Sequence, residues 1–465
     1  MDEEILQELR RLNRQLKNLS EKVESIEKKT NRTNRQTASL WQKFKRRVKK
    51  AASKPTLMGR ALQKLLNLYR YGWRYLYCLA VRRKGIQNNK IVFISHKGKQ
   101  YSCNPMYLSQ YLLKQYPGEF EIVWAFDSPD KFKYLENEGI QVVKKESKEH
   151  LAHLVTAKVI VTNVDFFIYL PKVKGQVVLD TWHGGGSYKT CGFANAQNLL
   201  TNRQRRYFER LYSKINLYCS SSQAFTQQTI RESRLFQGEV LEVGMPRNDM
   251  LINRDKPYVE EKVRKYFSLD KETKIVLYAP TYRSKAESAN VQELDVERMV
   301  GALNKRFGGK WCCLYRAHHL GTPADMEGEI DNDILLSAVE YPDMQELLYA
   351  ADILVSDYSS CIWDFSLQYK PVFLYCPDLA KYTSSRDFYT PIENWHFILT
   401  QNQNELETKI HNFDEAEYRK GIEQHHLELG SCESGQATKA ICERIFKECF
   451  PFEDTDEKDK QENTL

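Results

Sequence analysis

The 465-residue sequence contains no unbroken apolar stretch of the roughly 18 residues that a membrane-crossing helix needs, so none is expected. Its 11 cysteines include no C-x-x-C pair. That scatter argues against a zinc site and a disulfide framework, and it fits reduced thiols in the cytoplasm. Cys312 and Cys313 fall in one expected strand, with side chains on opposite faces. No Walker loop, G-x-G-x-x-G, H-E-x-x-H or EF-hand pattern occurs, and no acidic pair has metal-ligand spacing. The expectation is a chemistry that uses neither metal nor cofactor. The opening MDEEILQELRRL is charged from its second residue and is not expected to act as a secretory leader. Acidic residues are missing altogether from Trp41 to Lys84, where 14 lysines and arginines stand uncompensated.

What is present fits a packed protein of two domains with extensions: 42% of residues are hydrophobic and 12% aromatic, in a chain too long for one ordinary core. In residues 1–40, Ile5, Leu9, Leu12, Leu16, Leu19, Val23 and Ile26 alternate spacings of four and three. This is a coiled-coil seam and predicts a homo-oligomer through that helix, with a lone solvated helix as the bland alternative. Residues 41–87 combine the uncompensated charge with Trp73, Tyr75, Leu76 and Tyr77, interleaved with Arg70 and Arg74. Rings and arginines together suit an anionic membrane surface. The same composition can bind nucleic acid, but its apolar content favours the membrane, so no nucleic-acid partner is expected. Packing against the globular body is a third reading. The expected division continues with an N-terminal domain over 88–243, a C-terminal domain over 244–450 and an acidic, disordered tail over 451–465.

Short apolar runs recur between helical patterns, which predicts βαβ units and mainly parallel sheets. The runs are Lys90–Ile94, Glu121–Phe126, Gln141–Val143, Lys158–Val161, Val177–Leu179, Ile215–Cys219 and Glu239–Val243 in the first half. In the second they are Lys274–Tyr278, Trp311–Tyr315, Ile334–Ser337, Asp352–Val355 and Val372–Tyr375.

Ligands of such sheets sit at the carboxyl ends of the strands. There Val177–Leu179 runs into Asp180-Thr181-Trp182-His183 and three glycines, Gly184, Gly185 and Gly186. A histidine so placed is aimed at a ligand, and glycines let backbone N–H groups approach an anion. A satisfied turn histidine is the plain alternative. The second half offers Arg283, Arg316 and His318 as positive charge, and Ser359 and Ser360 at the start of a helix carrying CIWDFSLQY. Arginine forks and a helix N-terminus together describe a pyrophosphate site. His183 could then serve as general base for an acceptor hydroxyl. Taken singly, each arginine reads as a surface ion pair and the serines as a cap.

Seven stretches carry a resemblance: GKQYSCNP (Gly98–Pro105), TWHGGGSYKT (Thr181–Thr190), VGMPRND (Val243–Asp249), LYAPTYR (Leu277–Arg283), YRAHH (Tyr315–His319), Tyr341–Phe365 and the DFY of Asp387–Tyr389. In this order the sequence resembles the CDP-glycerol glycerophosphotransferase family, which builds teichoic acids and related poly(polyol phosphate) polymers. The resemblance implies two Rossmann-like α/β domains in a GT-B arrangement, preceded here by the coiled-coil helix and the basic amphipathic segment. It implies His183 as base with His318 as a second catalytic residue. It implies a CDP-alcohol held by Gly184, Arg247, Pro280, Thr281, Arg283, Arg316, Ser359, Ser360 and Asp364. Gly98, Tyr101 and Asn104 fall on the acceptor side. The implied partners are CDP-glycerol or a related CDP-polyol and an undecaprenyl-diphosphate-linked acceptor, at the cytoplasmic face of the membrane. The sequence differs from the family's usual pattern at Gly185-Gly186-Ser187, Cys103 and Thr390. The rivals are a GT-B glycosyltransferase using a nucleotide sugar, and a catalytically dead coiled-coil scaffold.

Overall fold

The computed structural model describes residues 71–164, 170–194, 201–281, 294–316, 334–385 and 387–451. The expected coiled coil, most of the basic segment, Arg283, His318 and the acidic tail lie outside the described residues. The chain divides into two compact units, Met1–Leu76 and Tyr77–Leu465. The described part of the first is helical, in a helix over 71–81. Among the described residues, no helix is long and apolar enough to cross a membrane. All 11 cysteines are free thiols.

The second unit contains two parallel sheets. The first joins β1 (Gln87–Ile94), β2 (Glu121–Phe126), β3 (Ile140–Lys144), β4 (Ala157–Thr162), β5 (Val177–Asp180), β6 (Leu217–Cys219) and β7 (Glu239–Leu241), in the order β3-β2-β1-β4-β5-β6-β7. The second joins β8 (Lys274–Ala279), β9 (Trp311–Tyr315), β10 (Leu335–Ser337), β11 (Ile353–Ser356), β12 (Val372–Tyr375) and β13 (Ile398–Thr400), in the order β10-β9-β8-β11-β12-β13. Every pairing is parallel. Helices cover a parallel sheet on both faces, so its strands read as continuous apolar runs rather than alternations. EIVWAF in β2 and WCCLY in β9 are such runs, buried along almost their whole length.

In each sheet the chain starts in the middle, works outward to one edge, and returns to the other side of its first strand. The reversal falls between β1 and β4 in the first sheet and between β8 and β11 in the second. A crevice opens at the carboxyl ends of such a strand pair. Residues leaving β1, β4 and β5 therefore face those leaving β8, β9 and β11.

Two features go beyond the periodicity. The Ala437–Cys449 helix lies within residues 244–450, yet it returns to the first sheet's lobe. Its buried stripe, Ala437, Ile441, Cys442, Ile445 and Cys449, has helical spacing. It packs beside the Cys103–Gln115 helix, with Phe446 stacked on Tyr116 at 4.8 Å and Arg444 paired to Glu239 at 3.0 Å. The second is the helix after Ser220-Ser221-Ser222, where Ser222 Oγ accepts the Phe225 N–H at 3.1 Å. Its turns over Phe225–Glu232 are π-helical, a form that often marks functional sites.

Candidate active site

The site is built outward from β5. Its last residue, Asp180, accepts the Trp182 N–H at 2.8 Å. Trp182 is left-handed at φ 51°, a costly state for a residue with a Cβ. Asn104, fully buried, holds this turn by donating Nδ2 to the carbonyls of Thr181 at 3.0 Å and Trp182 at 3.1 Å. Arg234 holds the indole from behind: its guanidinium carbon lies 3.8 Å from the ring centroid, and its Nη1 donates to Thr229 O at 2.6 Å. Arg234 follows the π-helical turns, which place Thr229 against Ser187 Oγ at 2.9 Å.

His183 is the next residue. Its Nδ1 lies 2.7 Å from the carbonyl of Asn163, just beyond β4. A carbonyl only accepts, so Nδ1 carries the proton and Nε2 carries the lone pair. Burial, then His96, then Arg247 and Arg234 drive its pKa down to about 3, against the Asn163 carbonyl, which raises it. The imidazole is therefore neutral at ordinary pH. A bound diphosphate would raise its basicity by favouring the protonated form. The His96 ring lies 5.8 Å away, also held neutral, at about 4, by burial and by Arg247 and Lys99.

Two of the three glycines serve close approach between the lobes, and Gly186 takes a left-handed turn at φ 78°. A Cβ on Gly184 would meet Ser360 Oγ at 2.8 Å, and one on Gly185 would meet the Trp363 indole at 2.2 Å. The loop then crosses to the second lobe. Tyr188 packs on Trp395 at 4.5 Å, and its hydroxyl lies 2.9 Å from His425 Nε2. Thr190 N–H donates to Asp387 O at 3.0 Å, and Tyr389 N–H to Tyr188 O at 2.9 Å. The DFY stretch thus meets the histidine loop through a single antiparallel bridge between Lys189 and Phe388.

Between the lobes lies a cleft of about 1030 Å³. It brings together His183, Gly184, Arg247, Pro280, Thr281, Arg316, Ser359, Ser360 and Asp364. Several of their polar groups are already engaged. Thr281 donates its N–H at 2.9 Å and its hydroxyl at 2.5 Å to Asp357. Arg247 Nη2 pairs with Asp364 at 2.7 Å while Nη1 donates to the His183 carbonyl at 2.7 Å. Arg247 and Asp364 therefore form a strut that fixes the histidine loop against the Cys361–Ser366 helix. Arg316 Nη1 donates to the carbonyls of Ala338 and Val339 at 2.5 Å each. Ser360 makes no side-chain capping bond, and its hydroxyl faces the glycine loop.

Of the acceptor-side residues, none lines the cleft. Gly98 is a left-handed turn residue at φ 83°, Tyr101 packs edge-on against Trp124 at 4.7 Å, and Asn104 is the clamp described above. Their neighbours His96, Lys97, Lys99 and Gln100 line it instead. The rule that pointed to His183, a position just past the carboxyl end of a strand, would have found His96 had it been applied to β1. Glu433 was also not anticipated. Its carboxylate accepts from Met245 N–H at 3.0 Å, Asn248 Nδ2 at 2.8 Å and Trp363 Nε1 at 3.0 Å, where the chain passes between lobes. Burial pushes it up to about 7, against those three donors.

Residues 75–447 match the family model of CDP-glycerol:poly(glycerophosphate) glycerophosphotransferase. The chain belongs to this glycerophosphotransferase family. Among relatives, a teichoic acid poly(glycerol phosphate) polymerase of Staphylococcus epidermidis is 29% identical over 391 residues, 81% of this chain and 53% of that one. The chain thus spans about half the length of that polymerase. A Bacillus spizizenii protein of the same description is 27% identical over 82% of this chain and 99% of its own length. Solved structures of the wall teichoic acid polymerase TagF share the fold, at a TM-score of 0.70 and 26% identity over 84% of this chain and 96% of that chain. Described residues of several of the stretches that carried the resemblance line the cleft, with the exceptions named above.

Proposed function

We propose that this chain transfers a polyol phosphate, glycerol phosphate first, from a CDP-activated donor to a hydroxyl of a lipid-linked glycan or growing polyol-phosphate chain, with release of CMP. The observation that carries the reading is the neutral imidazole of His183, anchored through Nδ1 on the Asn163 carbonyl, in the lining of a cleft shared with Arg316, Ser359 and Ser360. His183 takes the acceptor proton as the acceptor oxygen attacks the glycerol-bearing phosphorus. The bond from that phosphorus to the bridging oxygen breaks, and CMP leaves with the electron pair. Such transfer depends on positioning and charge stabilisation. Arg316 and the Ser359-Ser360 turn supply these for the donor phosphates, joined in the proposal by His318 and Arg283. No metal or other cofactor enters the scheme. Family membership supports the CDP-alcohol; relatives described as glycerol-phosphate enzymes run from 23 to 29% identity, three of them at 27–29%, against 25% for those described as ribitol-phosphate enzymes, which favours glycerol. The two parallel-sheet lobes around one cleft support a GT-B-like arrangement. CMP release from CDP-glycerol with a lipid-linked acceptor tests the reading: His183→Ala should lower it about 100- to 10,000-fold. Unchanged turnover in that variant would remove the proposed base.

The acceptor we propose is undecaprenyl-diphosphate-linked, met at the cytoplasmic face of the membrane, with the 41–87 segment on the anionic surface and residues 1–40 joining copies. Tyr71, Tyr75 and Leu76, exposed in the 71–81 helix, support the surface contact. Flotation with anionic liposomes should be lost on neutralising the lysines and arginines of 41–70; equal binding would move the contact elsewhere.

A further inference from the structure

The first-lobe end of the cleft has a composition that the donor site does not explain. Lys97, Lys99 and Gln100 line it beside His96, all from the turn that leaves β1. His96, Lys97 and Gly98 are consecutive left-handed residues, at φ 44°, 59° and 83°. Two of them carry a Cβ, so the turn is held against its own preference, as happens where a side chain must be aimed. The bracing is visible. The His96 N–H donates to Asn163 Oδ1 at 2.8 Å, Lys145 donates to the Lys97 carbonyl, and Lys145 is itself paired with Asp127 at 2.8 Å. A Cβ on Gly98 would sit 3.1 Å from the Ala125 carbonyl, so the turn is also packed from below. Lys99 is exposed, lines the cleft and is close enough to His96 to lower its pKa.

Among the described residues, the cleft is lined by five lysines and arginines, namely Lys97, Lys99, Lys189, Arg247 and Arg316, and by two carboxylates, Asp364 and Asp387. Asp364 is consumed by Arg247, so the surplus is positive and much of it lies on the first lobe. Displacement at phosphorus brings the attacking and leaving oxygens into line on opposite sides of the transferred group. If the nucleotide leaves on the second-lobe wall, the attacking hydroxyl must arrive from the wall that carries His183, with the rest of the acceptor beyond it. The His96 ring is 5.8 Å from the His183 ring on that side.

We propose that the His96–Gln100 turn is an acceptor subsite that binds the phosphate adjacent to the attacking hydroxyl. The ligand class is a polyol phosphate ester, and Lys99 supplies the principal charge, with Lys97 beside it and His96 and Gln100 as hydrogen-bonding neighbours. The subsite selects acceptors that already end in a polyol phosphate over uncharged ones. This rests on the transfer reading above.

The test uses the full chain and two synthetic acceptors of equal alkyl length, one an alkyl glycerol phosphodiester and one an uncharged alkyl glycerol ether, with CMP release as the readout. Wild type should prefer the phosphodiester. Lys99→Ala should raise its KM about tenfold, the loss of one charge-assisted contact, while the KM for CDP-glycerol stays within about twofold. Lys99→Ala should leave the ether unaffected, and Lys99→Arg should restore most of the preference. Equal use of both acceptors by wild type, equal loss on both in the variant, or a rise in donor KM instead would overturn the subsite while leaving the transfer reading intact. No CMP release from wild type with either acceptor would overturn both together.

Discussion

The two walls of the cleft are made differently. On the second-lobe wall the polar groups bind one another: Thr281 to Asp357, Asp364 to Arg247, Arg316 to the carbonyls after β10. Among the described residues, none of the cleft-lining residues there that carries a Cβ has a left-handed backbone. On the first-lobe wall four such residues do: His96, Lys97, Trp182 and Ser187. Each costs on the order of 1–3 kcal/mol and persists only because its surroundings over-determine it. The second wall is a cross-linked platform suited to holding a ligand. The first is a strained wall suited to aiming reactive groups. Holding and aiming are thus separated between the lobes, and they meet at the glycine loop.

The strut offers the strongest way to break this comparison. Arg247→Ala leaves Asp364 buried without its partner and frees the His183 carbonyl, so unfolding stability should fall by about 3–5 kcal/mol. Denaturant melts read this directly; a loss near zero would mean that the lobes are joined chiefly elsewhere. The interlock should matter less. Gly185→Ala puts a methyl into the Trp363 indole, and the strain should cost about 1–3 kcal/mol and lower turnover through the neighbouring His183. If its melting point and rate match wild type, the two walls are not in contact there in solution. The smallest effect sharpens the electrostatic side. With His183 held at about 3, kcat/KM of the free enzyme should show no histidine limb between pH 5 and 7, where an ordinary imidazole would titrate. Arg234 is one of the cations that disfavours the imidazolium, so Arg234→Met should raise the pKa and move the acid limb to higher pH. A limb that stays in place would leave Arg234 a purely mechanical support.

Strands were the most legible part of the sequence, because a strand buried on both faces must be apolar throughout. β2, β9 and β12 begin and end where their apolar runs do. The His183 loop was legible for the same reason: a strand, an ionisable group and glycines coincide at one carboxyl end. What the glycines do was not. They read as room for an anion, whereas Gly184 and Gly185 make room for Ser360 and Trp363, which lie far along the chain. The resemblance named both Arg247 and Asp364 as donor-holding residues, but nothing in the sequence paired them, because they lie 117 residues apart. The residues singled out in the GKQYSCNP stretch, Gly98, Tyr101 and Asn104, do not line the cleft, whereas their neighbours do. Gly98 builds the turn after β1, Asn104 clamps the Thr181–Trp182 turn, and the lysines on either side of Gly98 line the cleft. The last strand, Ile398–Thr400, is only three residues long and left no periodic signal to read.

The Ala437–Cys449 helix has a consequence for how the molecule is made. A ribosome releases β1 and the Cys103–Gln115 helix early, while the segment that roofs them emerges only after the whole second lobe. During that interval the apolar surface around Leu108 and Tyr116 has no lid, so the nascent chain is a natural client for holding chaperones. Cutting the gene between the two sheets would give one fragment with an unroofed lobe and another with an orphaned amphipathic helix.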